Sequence, residues 1–412
     1  MDEIKEIAVL AGIVSDRRDV TYSDDSTIDE LAELAKTAGA EVVAKVLQPK
    51  DAPDVATYLG KGKIEELTEL CHNTDANLII FDDELSASQR NNIEDITGVR
   101  VTDRSTLILD IFASRAQSAE GKLQVELAQL KYILPRLMGI GKSLSRLGAG
   151  IGTRGPGETK LETDRRHIRN HISKIQSQLK EVEKRRSYMR ERRKKDGFQT
   201  VALVGYTNAG KSTLLNYLTD AGVLAEDKLF ATLDPTARAL TLPDGREVIM
   251  IDTVGFIRKL PHHLVNAFKS TLEETRYASL ILNVVDYSNE EYLEHLKVSE
   301  NLLTELGCSD IPVLNVFNKC DNVEADTKTC GTNVYISAKN GTNIDELLRM
   351  ICTHLPVTKR RMNLLIPYAQ AGLSAQLRED GIIINEEYAE NGVKITSDVD
   401  QKAVYKYEQY EN

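Results

Sequence analysis

Gly205, Tyr206, Thr207, Asn208, Ala209, Gly210, Lys211, Ser212 and Thr213 fill the GxxxxGK[ST] spacing. The run follows the apolar stretch Val201 to Val204 and precedes Leu214 to Leu218, so it reads as strand, glycine-rich turn and helix, the context this spacing needs. Backbone N–H groups of such a turn, with the helix N-terminus behind them, cradle phosphate oxygens. Lys211 adds a point charge at the β and γ phosphates, and Ser212 offers a hydroxyl to Mg2+. These residue types at this spacing imply nucleoside triphosphate binding and phosphoryl transfer.

Four downstream segments narrow the reading. Val248 to Ile251 reads as a buried strand ending in Asp252, Thr253, Val254 and Gly255, where the carboxylate would hold Mg2+ through water and Gly255 would present its N–H to the γ-phosphate. Leu280 to Val285 is a further apolar strand, and Val313 to Phe317 another, delivering Asn318, Lys319, Cys320 and Asp321. The Asp321 carboxylate can accept two hydrogen bonds from guanine N1 and the 2-amino group, a donor pair that adenine lacks. Tyr335 and Ile336 lead into Ser337, Ala338 and Lys339, where the Ala338 N–H is expected to meet guanine O6. A lone Asn-Lys-x-Asp run is weak, because Asn and Asp are common in turns. Five elements in this order are not.

Together these residues resemble the first, third, fourth and fifth motifs of translation-factor-type GTPases. The second motif must lie between Lys211 and Asp252, where Leu229, Phe230, Ala231, Thr232, Leu233, Asp234, Pro235 and Thr236 stand. Similarity to a Phe-x-Thr-Leu-Asp-Pro form favours Thr232 as the switch threonine that joins Ser212 on Mg2+, with Thr236 as its competitor. Phe256 follows Gly255 where Ras-like enzymes carry a water-positioning glutamine, so basal turnover is expected to be slow until a partner completes the site. Asn208 leaves two readings open, a ligand-side companion of a monovalent cation such as K+ or a loop-stabilising residue. Lys211, Thr232 and Gly255 are the expected catalytic set.

The remaining chain bounds the context. Its 412 residues suit two to four domains. No apolar run reaches about 18 residues, so no membrane span is expected. The start, Met1 to Glu6, does not read as a signal peptide. Cys71, Cys308, Cys320, Cys330 and Cys352 are scattered and odd in number, which suggests a reducing cytosol and neither a disulfide framework nor a zinc site. His262, His263 and His295 lack metal spacing and are expected at the surface.

Residues 1–117 alternate strand-like runs (Ile7 to Leu10, Val42 to Val46, Leu78 to Phe81, Val99 to Val101) with helical patterns (Thr27 to Ala38, Lys63 to His72, Ser86 to Thr97), which implies a parallel α/β domain. Tyr58 to Lys63 forms a positive, glycine-containing turn. Asp82, Asp83 and Glu84 follow a strand end, where a solvated turn before an Ser86 N-cap is expected and a Mg2+ or nucleotide site is the alternative. Residues 118–197 carry two stripes at helical spacing. Leu123, Leu127, Leu130 and Leu134 form one, and Ile168, Ile172, Ile175, Leu179 and Val182 the other, so two antiparallel helices are expected. The glycine-rich stretch Gly139 to Gly157 between them, with Lys142, Arg146 and Arg154, reads as a long loop.

Residues 118–200 hold 20 Lys and Arg against 9 Asp and Glu, while the rest of the chain holds 32 against 54. A basic hairpin on an otherwise acidic protein points to a phosphate-rich partner such as structured RNA. No DNA-binding or base-reading signature accompanies it. Residues 198–356 hold the nucleotide motifs, and 357–412 read as a small α+β domain with strands at Leu364 to Ile366, Ile382 to Ile384 and Val393 to Ile395 and a helix at Ala369 to Arg378.

At this length the chain resembles the HflX family of ribosome-associated GTPases. Tyr58 to Leu67, Phe81 to Leu85, Gly150 to Glu162, Asp164 to Arg166, Gly205 to Thr213 and Asp252 to Phe256 carry the likeness, with Gly150 to Glu162 the most diagnostic. The resemblance implies a multidomain α/β architecture: parallel α/β domain, helical hairpin, P-loop GTPase domain and small C-terminal domain. It implies GTP and Mg2+, a 50S ribosomal subunit and 23S rRNA as partners, ribosome-stimulated hydrolysis, and splitting of stalled or idle ribosomes under stress. A monomer is expected, cytoplasmic and partly ribosome-associated. A large-subunit assembly GTPase and a signalling GTPase with a protein partner share the same motifs.

Overall fold

The computed structural model describes residues 5–14, 24–145, 156–195, 198–219, 229–230, 233–259, 274–323, 329–356, 359–401 and 403–411. They fall into two compact units, Met1–Cys352 and Thr353–Asn412.

The larger unit begins with a parallel sheet of β1 (Ile7–Val14), β2 (Glu41–Pro49), β3 (Leu78–Phe81) and β4 (Arg100–Asp103) in the order β2-β1-β3-β4. Alternate residues of β1 enter different cores, Ala8 and Leu10 on one face and Val9, Ala11 and Ile13 on the other. Strands covered on both faces read as unbroken apolar runs, which is why β1 and β3 were legible. Helices α1 (Asp24–Ala38), α2 (Lys61–Asn73) and α3 (Ala87–Thr97) supply the cover. Ser86 caps α3 in a capping box with Gln89, as its position before the helix suggests. A further helix, α4 (Arg104–Arg115), follows β4 directly, capped by Asp103 through the Thr106 N–H at 2.9 Å.

α5 (Ala119–Ser145) and α6 (Pro156–Lys195) pack along one another. Ile175 is buried and Ile168, Ile172, Leu179 and Val182 are half-buried, while most of their neighbours are exposed. The expected loop from Gly139 to Gly157 is shorter than read: α5 carries its helical backbone through Gly139 and Gly141 to Ser145, and α6 starts at Pro156. Proline is favoured at a first helical position because its missing N–H has no intrahelical partner there. Arg146 and Arg154 lie outside the described residues.

The second sheet runs β10 (Asn333–Tyr335), β9 (Val313–Asn318), β8 (Leu280–Asp286), β5 (Gln199–Gly205), β7 (Glu247–Asp252), β6 (Thr236–Thr241), parallel except for β6 against β7. The chain leaves β5 for β6 and β7 on one side and then returns for β8, β9 and β10 on the other. Ligands of open α/β sheets bind at the strand C-termini beside such a reversal. Helices α7 (Lys211–Thr219), α8 (Tyr292–Glu305) and α9 (Ile344–His354) accompany this sheet.

The smaller unit is an antiparallel sheet, β11 (Lys359–Ile366), β13 (Gly392–Asp400) and β12 (Gly381–Ala389), with α10 (Ala371–Asp380). Met362, Leu364, Ile366, Leu377, Ile395, Val399 and Tyr407 form its core.

Candidate active site

The phosphate loop leaves the end of β5 in a conformation its residues were chosen for. Gly205 has φ +140°, and a Cβ there would lie 2.0 Å from the Val284 carbonyl oxygen. Asn208 adopts φ +60°, which Asn tolerates better than most residues. Gly210 has φ +92°, and a Cβ there would meet Asn318 Nδ2 at 2.2 Å.

Lys211 is buried, and its ammonium donates to the Gly205 and Tyr206 carbonyl oxygens at 3.1 and 2.8 Å. Burial lowers its pKa to about 8, with the Asp252 charge working in the opposite direction. Ser212 donates its hydroxyl hydrogen to Asp252 Oδ2 at 2.7 Å. A hydroxyl and a carboxylate side by side are the hard oxygen donors that suit Mg2+. Thr253 donates to the Leu203 carbonyl at 2.7 Å and Val254 enters the core, which fixes the path of the chain into Gly255. A Cβ on Gly255 would sit 2.9 Å from Thr207 Cα and 3.0 Å from Lys211 Nζ, so no side chain fits there. Thr213 is half-buried in the first turn of α7.

The other end of the site is tied by Asn318, whose Nδ2 donates to the Ala209 carbonyl and whose Oδ1 accepts the Ala338 N–H, both at 2.9 Å. That N–H, expected to meet guanine O6, here joins two loops through Asn318. Lys319 has φ +63° and bridges to Asp286 at 2.7 Å. Asp321 is exposed in a short turn, Lys339 is exposed, and Ser337 is buried, its hydroxyl accepting the Asn340 N–H at 3.2 Å.

Three residues expected at the nucleotide are engaged elsewhere. Phe230 is buried edge-on to Phe112, with centroids 4.6 Å apart, and Leu233 enters the same core. Asp234 accepts the Gln117 and Ser118 N–H groups at 3.0 and 2.8 Å, just ahead of α5. An apolar pair and a carboxylate serving as a helix-start acceptor are better satisfied there than beside phosphates. Ala231 and Thr232 lie outside the described residues. Thr236 opens β6, opposite Asp252.

Phe256 is 2 % exposed and packs in the core. Its N–H donates to the Gly205 carbonyl at 3.0 Å and its carbonyl accepts the Thr207 N–H at 2.8 Å. The side chain that stands where a glutamine was expected is therefore a structural anchor in the core.

A polar network between the first sheet and the phosphate loop went unseen in the sequence. Arg104 pairs with Glu30 and, at 2.9 Å, with Asp82, and donates to the Arg258 carbonyl at 3.2 Å. Tyr206 donates to Glu30 and accepts the Arg258 N–H at 2.9 Å. Lys259 pairs with Asp82 and Asp83, and Tyr58 donates to Asp83. Burial raises the Glu30 and Tyr206 pKa values; for Arg104, burial acts against the charge and Glu30 and Asp82 more than offset it. Asp82 and Asp83 thus form half of an internal charge cluster, while Glu84 is exposed and Ser86 caps α3 as expected; among the described residues no group of metal-binding side chains is found. His295 is not at the surface: it is buried and stacks on Tyr206 at 3.8 Å, and burial followed by the Arg258 charge lowers its pKa to about 4.

The basic end of α6 is also partly committed. Arg190, 16 % exposed, pairs with Glu274 at 2.9 Å and lies 4.4 Å above the Tyr277 ring, with Arg193 at 4.0 Å from the same carboxylate. Lys180, Lys184, Arg185 and Arg192 remain exposed.

Residues 25–113 match the family model for a GTP-binding GTPase N-terminal region, 115–193 that for a GTP-binding GTPase middle region, and 200–319 that for a 50S ribosome-binding GTPase. A GTPase HflX of Caldanaerobacter subterraneus subsp. tengcongensis is 54 % identical over 395 residues, covering 96 % of this chain and 91 % of its own. The GTPase HflX of Escherichia coli is 42 % identical over 383 residues, covering 90 % of each. A GDP complex of a GTP-binding protein from the archaeon Sulfolobus solfataricus is 26 % identical with a TM-score of 0.45, covering 85 % of this chain and 98 % of its own. With phosphate loop, Asp252, Gly255 and the Asn318 loop converging at one sheet end, and relatives of this identity along nearly its whole length, the chain belongs to the HflX family of GTPases.

Proposed function

We propose that this GTPase binds the large ribosomal subunit and splits or recycles stalled and idle ribosomes, with GTP setting the timing and the ribosome stimulating hydrolysis. We read the chain as four modules, residues 1–117, 118–197, 198–356 and 357–412.

In this reading Gly205 to Thr213 bind the phosphates, with Lys211 at the β and γ positions, and Gly255 senses the γ-phosphate. Ser212 and Thr232 hold Mg2+, with Asp252 behind them through water. When bound, the metal offsets phosphate charge. Asn318, Lys319, Asp321 and Ser337 to Lys339 frame the guanine, Asp321 supplying the selective contact. K+ beside Asn208 is a further expectation.

One observation carries the proposal. Both ends of the basic hairpin are bonded to segments that flank the nucleotide motifs: Asp234 accepts the N–H groups leading into α5, and Glu274 pairs with Arg190 near the end of α6. A change of nucleotide therefore has a direct mechanical route to the helices whose exposed lysines and arginines suit phosphate-rich RNA. Among the described residues no helix is long and apolar enough to cross a membrane.

Sedimentation of ribosomes with the protein and a non-hydrolysable GTP analogue tests this. Co-sedimentation with large subunits and conversion of 70S particles into subunits are expected. No association in the analogue-bound state would overturn the reading.

A further inference from the structure

A cavity of about 470 Å3 lies away from the phosphate loop, where the end of α6 meets the start of β5 and the residues leading into β8. Its volume suits a small ligand, for which pockets of roughly 300–1,000 Å3 are usual. Backbone bonds fix its walls: the Phe198 N–H donates to the Arg193 carbonyl at 3.0 Å, and the Ser279 N–H to the Thr200 carbonyl at 2.7 Å.

Two aromatic rings line this one cavity and stay open to solvent, Tyr277 at 56 % and Phe198 at 40 % exposure. Arg190 lies 4.4 Å from the Tyr277 ring and is held by Glu274 at 2.9 Å. Arg193 is less committed. Among the described residues its guanidinium has one partner, Glu274 at 4.0 Å, too long for a hydrogen bond, and its side chain is 35 % exposed. Ser187, Thr200 and Ser279 also line the cavity, and their hydroxyls make no hydrogen bond to another described residue.

Open rings, a guanidinium with unmet donors and free hydroxyls around one space match the needs of an unpaired nucleotide. The base stacks, its edge takes hydrogen bonds and its phosphate takes charge. We infer that this cavity receives one unpaired nucleotide of an RNA strand, with the base against Tyr277 and Phe198 and the phosphate on Arg193. Charge separates an RNA strand from a free nucleotide as the source. Arg190 and Arg193 are balanced in the lining by Glu191 and Glu274. A terminal phosphate, with about −1.5 to −2 charges at pH 7, would meet those carboxylates without net attraction. A phosphodiester carries a single charge and needs only Arg193. Lys180 and Lys184 are exposed and precede Ser187 at helical spacing, so positive charge continues along the same face of α6 for neighbouring phosphates. This placement rests on α6 being the RNA-facing helix proposed above.

The test uses the full chain, a short unstructured fluorescent RNA strand, and duplex RNA beside it. Tyr277→Ala is expected to weaken single-strand binding by about five- to 150-fold, the range for one lost base–aromatic stack, and duplex binding by no more than about two-fold. Tyr277→Phe should bind the strand as wild type does, and GDP affinity should be unchanged in both. Arg193→Gln should lower the salt dependence of strand binding by about 0.7 in logarithmic slope, one phosphate contact. Photo-crosslinking from bromouridine to the unaltered chain should map to Tyr277 or Phe198, a readout that needs no variant. Wild-type strand binding by Tyr277→Ala, an equal loss on duplex, or crosslinks only elsewhere would overturn the inference. So would uridine monophosphate competing as well as the strand does. Co-sedimentation with large subunits reports separately on the ribosome reading, so the two can fail independently.

Discussion

Removing Arg104 is the most demanding perturbation the fold offers. Its side chain is 2 % exposed and its partners Glu30 and Asp82 only 11 % and 5 %. Arg104→Leu deletes the guanidinium, leaving Glu30 with the Tyr206 hydroxyl and Asp82 with Lys259. Taking one partner from a buried ion cluster costs about 3–5 kcal/mol, because the remaining charges stay out of water. For a unit of this size each kcal/mol moves the melting temperature by about 1.4 °C, so a fall of about 4–7 °C is expected. The readout is thermal unfolding at pH 7 with urea midpoints beside it. Arg104→Leu combined with Glu30→Gln and Asp82→Asn should recover more than half of the loss, since the uncompensated carboxylates are then gone. A single-variant shift within about 1 °C, the size of an exposed pair, would refute the reasoning. So would a triple variant weaker than the sum of its parts.

His295→Phe preserves a flat ring against Tyr206 while removing a titrating group. The folded chain holds this histidine near pKa 4 against 6.5 ordinarily. Between those values the unfolded chain binds a proton the folded one refuses, so stability falls as pH drops from about 6.5 towards 4, by roughly 3 kcal/mol in all. The variant should lose that part of the pH dependence of its urea midpoint, and an unaltered slope would count against the buried placement. Because burial holds the Lys211 pKa near 8 and phosphate favours the charged ammonium, GTP affinity should weaken as pH rises past that value. A flat Kd between pH 7 and 9.5 would contradict it. Asp321→Asn gives up hydrogen bonds to a charged acceptor, worth about 1.5–3 kcal/mol, or roughly ten- to 150-fold in affinity for GTP. An unchanged preference for GTP over ATP in competition binding would show that Asp321 does not read guanine.

What the sequence revealed follows from where its physical signals are local. The phosphate loop was visible because strand, glycine turn and helix are contiguous, and the α6 stripe because Ile168, Ile172, Ile175, Leu179 and Val182 recur at helical spacing in a strongly charged helix. α4 was invisible for the opposite reason. Leu107, Ile108, Leu109, Ile111 and Phe112 are all buried, so no polar face marks a helical period. The Arg104 cluster joins residues separated by as many as 177 positions, and nothing local in Asp82 or Lys259 announces the other. Asp234 and His295 were misread because their partners are remote: a polar residue in a loop suggests a site and a histidine on a charged helix suggests the surface, and only tertiary contact reveals a helix-start acceptor or a stacking partner.

The Phe112–Phe230 contact has a practical corollary for dissection of the chain. One apolar core runs from Ala8, Leu10 and Phe112 into Phe230, Leu233, Phe256 and Ile257, so the nucleotide-binding half has no closed surface of its own. A recombinant fragment beginning near Phe198 would take Phe112 from the Phe230 ring, at about 1.5–3 kcal/mol of lost burial for that side chain. The surface left bare invites self-association. Turnover recorded on the excised piece would describe a rearranged molecule, and chimaeras between relatives will have to exchange both sides of this seam together.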